Sequence, residues 1–396
     1  MHDDEIPRVV VREAVQFSGC TIRSRSSAPA AGKGPGAGTE VYKVTVNSLD
    51  HLTGGRIGWN VVTSDMQTAL VKLLGLGEVT PHDRRYDRAD EFLDLVLELW
   101  EGGWSDDPFV VDKPSRVFTD PSRVHRITHE GEFFSLDGFF PVSPSPQRTP
   151  TLFQAGASSR GVEFASRIAE CVFIQERDVE KAAALVSRIR EEVERRGRPG
   201  DSVRIINSIS VVVGETDAAA AALRESLTAA PSRDAMAALF LGWSGVNLMG
   251  LDAGTPIDAL ATEVGKTTLA MYQDQGMTVG DVLDELAKTL GGTKITGTAE
   301  QVAAEIEWIA EASDVDGFLI EHTFGALATY REFIDSVMPI LRSRGVIPDV
   351  PRRGSLREML TGTPTARLRD EHPGSAFRPS VPASEGTSSQ ERLETA

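Results

Sequence analysis

Residues 48–64, Ser-Leu-Asp-His-Leu-Thr-Gly-Gly-Arg-Ile-Gly-Trp-Asn-Val-Val-Thr-Ser, constrain the fold of this chain more than any other stretch. They read as a helix end, a glycine turn and a buried strand that finishes in polar groups. Gly54 and Gly55 supply the backbone freedom to leave a helix, while Ile57, Val61 and Val62 suit a strand covered on both faces. Asn60, Thr63 and Ser64 then fall at or beyond the strand's C-terminal end, where the loops of a parallel barrel gather around a ligand. A polar strand end with no ligand is the alternative.

Charge narrows the ligands. The formal net charge of -17 disfavours phosphate backbones and anionic lipid heads, so neither nucleic acid nor a membrane is an expected partner. With 396 residues, 40% hydrophobic and 25% charged, the chain can bury one large core or two modest ones. Cys20 and Cys171 form no CxxC pair and no disulfide framework, which points to a reducing cytoplasm. No run of about 18 apolar residues is available to span a bilayer, and the acidic start at Asp3, Asp4 and Glu5 does not read as a signal peptide.

Along the chain, 1–40 is expected to be irregular or disordered, apart from a short strand around Val9-Val10-Val11. Residues 41–347 are expected to form the barrel, with a helical insertion at about 215–292. A C-terminal arm at 348–374 and a disordered tail at 375–396 follow. Strands are predicted at 56–64, 151–156, 171–174, 203–213 and 317–320, separated by helical sequence such as 86–100, 179–195 and 299–312. Strand, helix, strand is the pattern of a parallel sheet. Between the first two strands, 124–127 and 133–136 read as a hairpin.

Two clusters carry chemistry. His82 and Tyr86, four residues apart, share a helix face and could reach one ligand together, with Arg85 adding positive charge. A plain helix start capped by Asp83 is the rival reading. In 154–159, Gln-Ala-Gly-Ala-Ser-Ser, small residues open a helix N-terminus to a phosphate, and Ser158 offers a hydroxyl; a plain N-cap again competes. His125 and His129 have HxxxH spacing, but they flank a hairpin and no third ligand is evident, so no metal is expected. His322 ends the last strand and could face the barrel mouth or serve the structure alone.

In this order the residues resemble the flavin-dependent, two-component monooxygenases of the bacterial luciferase-like superfamily. The group is the one containing nitrilotriacetate, dibenzothiophene-sulfone and long-chain alkane monooxygenases. The likeness runs from about Val44 to Phe377. It rests on 48–64, on His82-Asp83-Arg84-Arg85-Tyr86 with Ala89-Asp90-Glu91-Phe92, on Val124-His125 before His129-Glu130-Gly131, and on Ser145-Pro146-Gln147-Arg148-Thr149-Pro150 leading into 154–158.

The resemblance implies an α/β fold, a TIM-like (β/α)8 barrel of the luciferase-like type. It implies reduced FMN delivered by a separate NAD(P)H:flavin reductase, O2 as co-substrate, and oxygenation of a small organic substrate through a C4a-peroxyflavin. The cofactor carries the hard step. By the same resemblance Asn60 and Thr63 lie by the flavin ring, and His82 and Tyr86 contact its ribityl-phosphate side with Arg85 assisting. Gly156, Ala157 and Ser158 hold the phosphate. Asn60 and His322 are the candidate catalytic residues, and a homo-oligomer is expected.

The five readable strands match the family's fourth to eighth, so the sequence predicts an incomplete barrel lacking three N-terminal βα units. One βαβ unit alone takes about 30 residues, and Met1 to Thr39 cannot hold three. An open barrel exposes sheet edges, so the chain is expected to be impaired and to self-associate. A catalytically inactive remnant or weak flavin-binding module is the alternative to an active monooxygenase. A deazaflavin-using relative fits Asn60 and 82–86 less closely.

Overall fold

The computed structural model describes residues 23–24, 41–63, 81–156, 158–262, 266–290, 292–321, 327–350 and 353–379. Six parallel strands form the main sheet: β2 (Gly58–Asn60), β7 (Thr151–Ala155), β8 (Cys171–Ile174), β9 (Arg204–Val213), β10 (Thr293–Gly297) and β11 (Gly317–Ile320). All five strands expected from the sequence are present. The sixth, β10, was not foreseen, because Thr-Lys-Ile-Thr-Gly has one apolar residue and no apolar run. It pairs with β9 from Ile209 to Val213, whereas β8 and β11 pair with β9 between Arg204 and Ile209. β10 therefore lies on the stretch of β9 that continues past the C-terminal ends of β8 and β11.

Alternation along these strands builds two faces. Trp59, Leu152, Val172, Ile174 and Ile205 pack outward against Leu93, Phe164, Ile168, Ile189 and other helix residues. Full burial of each such side chain contributes about 1.5–3 kcal/mol. Phe153, Cys171, Phe173 and Ile206 share the inner face with Leu356 and Leu360. Burial pushes the Cys171 thiol pKa up, which leaves it an inert core residue. This sheet-inside, helix-outside arrangement is that of a parallel α/β barrel.

The helix Leu356–Thr361 crosses the N-terminal ends of the strands. Leu356 N donates to Gly55 O before β2 (2.7 Å), and Arg204 at the start of β9 donates to Thr361 O (2.9 Å). The arm continues into the turn Pro373–Phe377, and Arg378 donates to Glu101 (3.0 Å). Residues 375–379 thus pack on the body, in place of the disordered tail expected from 375 onward; 380–396 lie outside the described residues.

Other differences are local. Arg23–Ser24 forms β1, antiparallel to β6 (Phe134–Phe139), which pairs with β5 (Arg126–Glu130) as the expected hairpin. The proposed strand at 9–11 lies outside the described residues. The helix His82–Leu97 has Pro81 at its N-cap position, with no side-chain cap, two positions before the expected Asp83. The helices from Arg233 to Thr289 gather around Phe240, Leu248, Ile257 and Val282 in a separate core. Arg177, just beyond β8, meets that layer over the Tyr272 ring at 5.9 Å.

Candidate active site

Trp59 points to the helices, edge-on to Phe92 and Trp100 at 6.4 and 5.7 Å between ring centroids. Its neighbours Gly58 and Asn60 therefore face the barrel interior. A Cβ on Gly58 would come within 2.3 Å of the Phe153 ring, so only glycine fits there. Phe153 stacks on Phe173 at 5.3 Å and 11° from parallel, giving the interior an aromatic surface. Asn60 ends β2 on this face, and its Oδ1 is buried with no hydrogen-bond partner among the described residues. An unmatched buried acceptor costs about 1–3 kcal/mol, which a ligand N–H recovers. Thr63 is half-buried just past the strand.

A second corner forms where β7 runs into the helix Ser159–Ile168. Ser158 caps that helix by accepting from Gly161 N at 3.0 Å, so the N-cap reading is correct. The cap uses the oxygen and leaves the hydroxyl proton to donate. The Tyr86 hydroxyl lies beside the same turn: a Cβ on Gly161 would be 3.0 Å from it, and one on Gly156 3.3 Å. Both glycines keep this cradle open. Gln154 lines it as well, with its Oε1 buried and lacking a partner among the described residues.

His82 and Tyr86 do share a helix face, with ring centroids 5.1 Å apart. The His82 Nδ1 contacts Asp83 Oδ1 at 2.7 Å. An ionised carboxylate only accepts, so Nδ1 carries the proton in this contact and Nε2 is left for a ligand. Phe164 packs against the far side of Tyr86 at 5.4 Å, and the Arg160 guanidinium lies over its ring at 5.4 Å. Arg160 is itself tied to Asp90 at 2.5 Å and Asp87 at 3.3 Å, which makes it a brace for Tyr86. Arg85 is buried.

The structure thus brings Tyr86, His82, Gly156 and Ser158 to one corner and places Asn60 and Thr63 at the end of a neighbouring strand. Ala157 and His322 lie outside the described residues. His125 and His129, the HxxxH pair, contact Ser105 Oγ and Glu91 at 2.7 and 3.2 Å. Sequence reasoning missed the Phe153–Phe173 stack and the Gln154 amide. The glycine at 58 between Ile57 and Trp59 was the available signal for the stack, since a strand glycine often marks close approach.

The family model described as luciferase-like monooxygenase matches residues 44–317. Dimethyl-sulfide monooxygenase from Hyphomicrobium sulfonivorans is 38% identical to this chain, over 84% of it and 70% of the relative. Long-chain alkane monooxygenase from Geobacillus thermodenitrificans is 36% identical over 84% and 72%. Among solved structures, riboflavin lyase with modified FMN and substrate riboflavin superposes with a TM-score of 0.80 at 40% identity, covering 85% of this chain and 75% of that one. These matches give no support to a barrel shortened by three βα units.

Proposed function

Because this chain belongs to the luciferase-like monooxygenase family, whose members here are flavin-dependent, we propose that it is the oxygenase of a two-component system, using reduced FMN from a separate NAD(P)H:flavin reductase and O2 to oxygenate a small organic substrate. The observation that supports this reading best is the pair of polar corners joined by an aromatic inner face. One offers a helix N-terminus with a free hydroxyl proton and an open glycine cradle, which suits a phosphate. The other offers a buried amide oxygen with no partner among the described residues, which suits a ring N–H.

Bound reduced FMN would supply the electron pair that activates O2: one oxygen atom goes to the substrate, the other leaves as water, and the flavin is oxidised. The chain's own residues do the rest. Ser158, with the backbone at Gly156 and Ala157, would hold the phosphate; Tyr86 and His82 would orient the chain that joins phosphate to ring. Asn60 and Thr63 would set the ring, and the Phe153–Phe173 surface would keep water from it. His322 is proposed at the reaction face. A reducing, cytoplasmic setting fits the buried free Cys171.

The substrates named in the relatives are a dialkyl sulfide and a long-chain alkane, and both serve as probes. The 40% identity to riboflavin lyase supports a second reading, in which riboflavin is the substrate. The test supplies purified chain with a flavin reductase, NADH, FMN and 18O-labelled O2, and offers each compound in turn. Label in a substrate-derived product supports the proposal. A chain that binds neither oxidised nor reduced FMN overturns it.

A further inference from the structure

We propose that the small cavity between the C-terminal arm and the N-terminal ends of β8 and β9 is a binding site for one halide-sized monovalent anion, with chloride as the expected occupant. Glu170, Arg198 and Ser202 line it from the barrel side, and Arg369, Glu371 and His372 line it from the arm. It sits just ahead of Cys171 and Arg204, where β8 and β9 begin, and so at the opposite end of the strands from Asn60 and Ser158. The inference is therefore independent of the flavin reading. The cavity has room for little more than one water-sized group, which leaves out sulfate, phosphate and organic carboxylates. Glu371 is exposed at its rim, where an ion can enter.

The charges around the cavity do not balance. Arg357 takes Glu170 in the two-pronged pair, and Arg369 takes Glu371 at 3.0 Å. Arg198 is the cation left over. It is 4% exposed, and its guanidinium donates to two neutral carbonyls, Ser166 O at 2.9 Å and Ala169 O at 2.7 Å, with no ion pair among the described residues. Burial pulls its pKa down to about 10, so it still carries its charge at neutral pH.

The second observation is Ser202. This residue is 6% exposed, and its Oγ is buried with no hydrogen-bond partner among the described residues. An orphaned buried hydroxyl and an uncompensated buried guanidinium each cost stability. One anion between them would accept charge-assisted hydrogen bonds from both and neutralise the surplus charge. A water would satisfy the hydroxyl and leave the charge. His372 does not compete for the same role: its Nε2 donates to Ile168 O and its Nδ1 accepts from Gly374 N, so the imidazole is neutral and committed. Because barrel and arm both line the cavity, a bound anion would fasten one to the other.

The test compares melting of the full chain near neutral pH in sodium chloride and in sodium gluconate at equal ionic strength, so that screening is the same in both. We expect the melting temperature to rise with the logarithm of chloride concentration once the site fills, as binding to the folded state alone requires. Ser202→Ala should need at least about tenfold more chloride for the same rise, since it removes a hydrogen bond to a charged group. In a cavity without an anion the same substitution deletes only an orphaned hydroxyl and leaves the response to salt as it was. A crystal of the unaltered chain grown in bromide locates the ion by anomalous scattering and needs no variant. Equal melting in the two salts, a chloride response that Ser202→Ala leaves intact, or a water in the cavity of the bromide crystal overturns the proposal. A bromide peak there without the response in solution marks an adventitious ion only, and overturns it as well.

Discussion

Arg357 and Glu170, 187 residues apart, form a two-pronged ion pair beneath the barrel sheet, with Nε–Oε1 at 2.5 Å and Nη2–Oε2 at 2.9 Å. Arg357 is fully buried and also donates to Thr149 O and Ala366 O. Glu170 in turn accepts from Leu152 N at 3.0 Å. The pair thus joins the C-terminal arm to the starts of β7 and β8. Arg357 and the adjoining hydrogen bonds hold the Glu170 carboxyl pKa below the usual range, against the opposing effect of burial.

Removing one partner of a buried pair leaves the other charge without compensation, at about 3–5 kcal/mol. Arg357→Met should therefore lower stability by that order, and Arg357→Lys should recover little, because an ammonium cannot reproduce the fork. Denaturant midpoints at neutral pH measure both. A change under about 1 kcal/mol in Arg357→Met would show that the arm is not coupled to the sheet through this pair.

His372 makes the arm sensitive to acid. Its imidazole is buried, donating from Nε2 to Ile168 O at 2.8 Å and accepting from Gly374 N at 3.0 Å. Burial, reinforced by Arg198, pushes its pKa down to about 4. A folded-state pKa below the unfolded value means that the unfolded chain binds the proton first. Stability from this group is therefore present above about pH 6.5 and lost as pH falls toward 4, by roughly 3 kcal/mol at the limit. The drop in melting temperature from neutral pH to about pH 5 should be smaller in His372→Gln than in the parent. Equal drops would remove His372 from the account.

Gly58→Ala should displace Phe153, since the added Cβ overlaps its ring. Overpacking of this sort costs about 1–3 kcal/mol. It should also weaken FMN binding by disturbing the inner face beside Asn60. Calorimetric unfolding together with flavin fluorescence titration reads both, and unchanged binding in a destabilised variant would separate the aromatic stack from the cofactor.

The sequence revealed what local pattern encodes. Apolar runs marked five of the six parallel strands, Gly54-Gly55 marked the turn into β2, and the 82-to-86 spacing put two rings on one helix face. Features set by distant residues stayed hidden. The strand β10 is defined by its pairing with the far end of β9, with Ile295 its one apolar residue. Arg357 looks like any helix arginine until Glu170 is beside it. The Ser158 corner was legible as a choice between cap and anion site; the fold shows the cap, whose geometry still leaves a proton to donate.

That last feature allows the central claim to be separated from folding. Aspartate caps helices about as well as serine, so Ser158→Asp should keep the cap to Gly161 N and the melting temperature. Its carboxylate would repel a phosphate seated at the same turn. The decisive measurement is an anaerobic titration of the parent and Ser158→Asp with reduced FMN. We expect binding to the parent and about tenfold or greater weakening in the variant, roughly 1.4 kcal/mol or more. Equal affinity in two equally stable proteins would contradict the placement of the flavin phosphate at the start of the helix Ser159–Ile168.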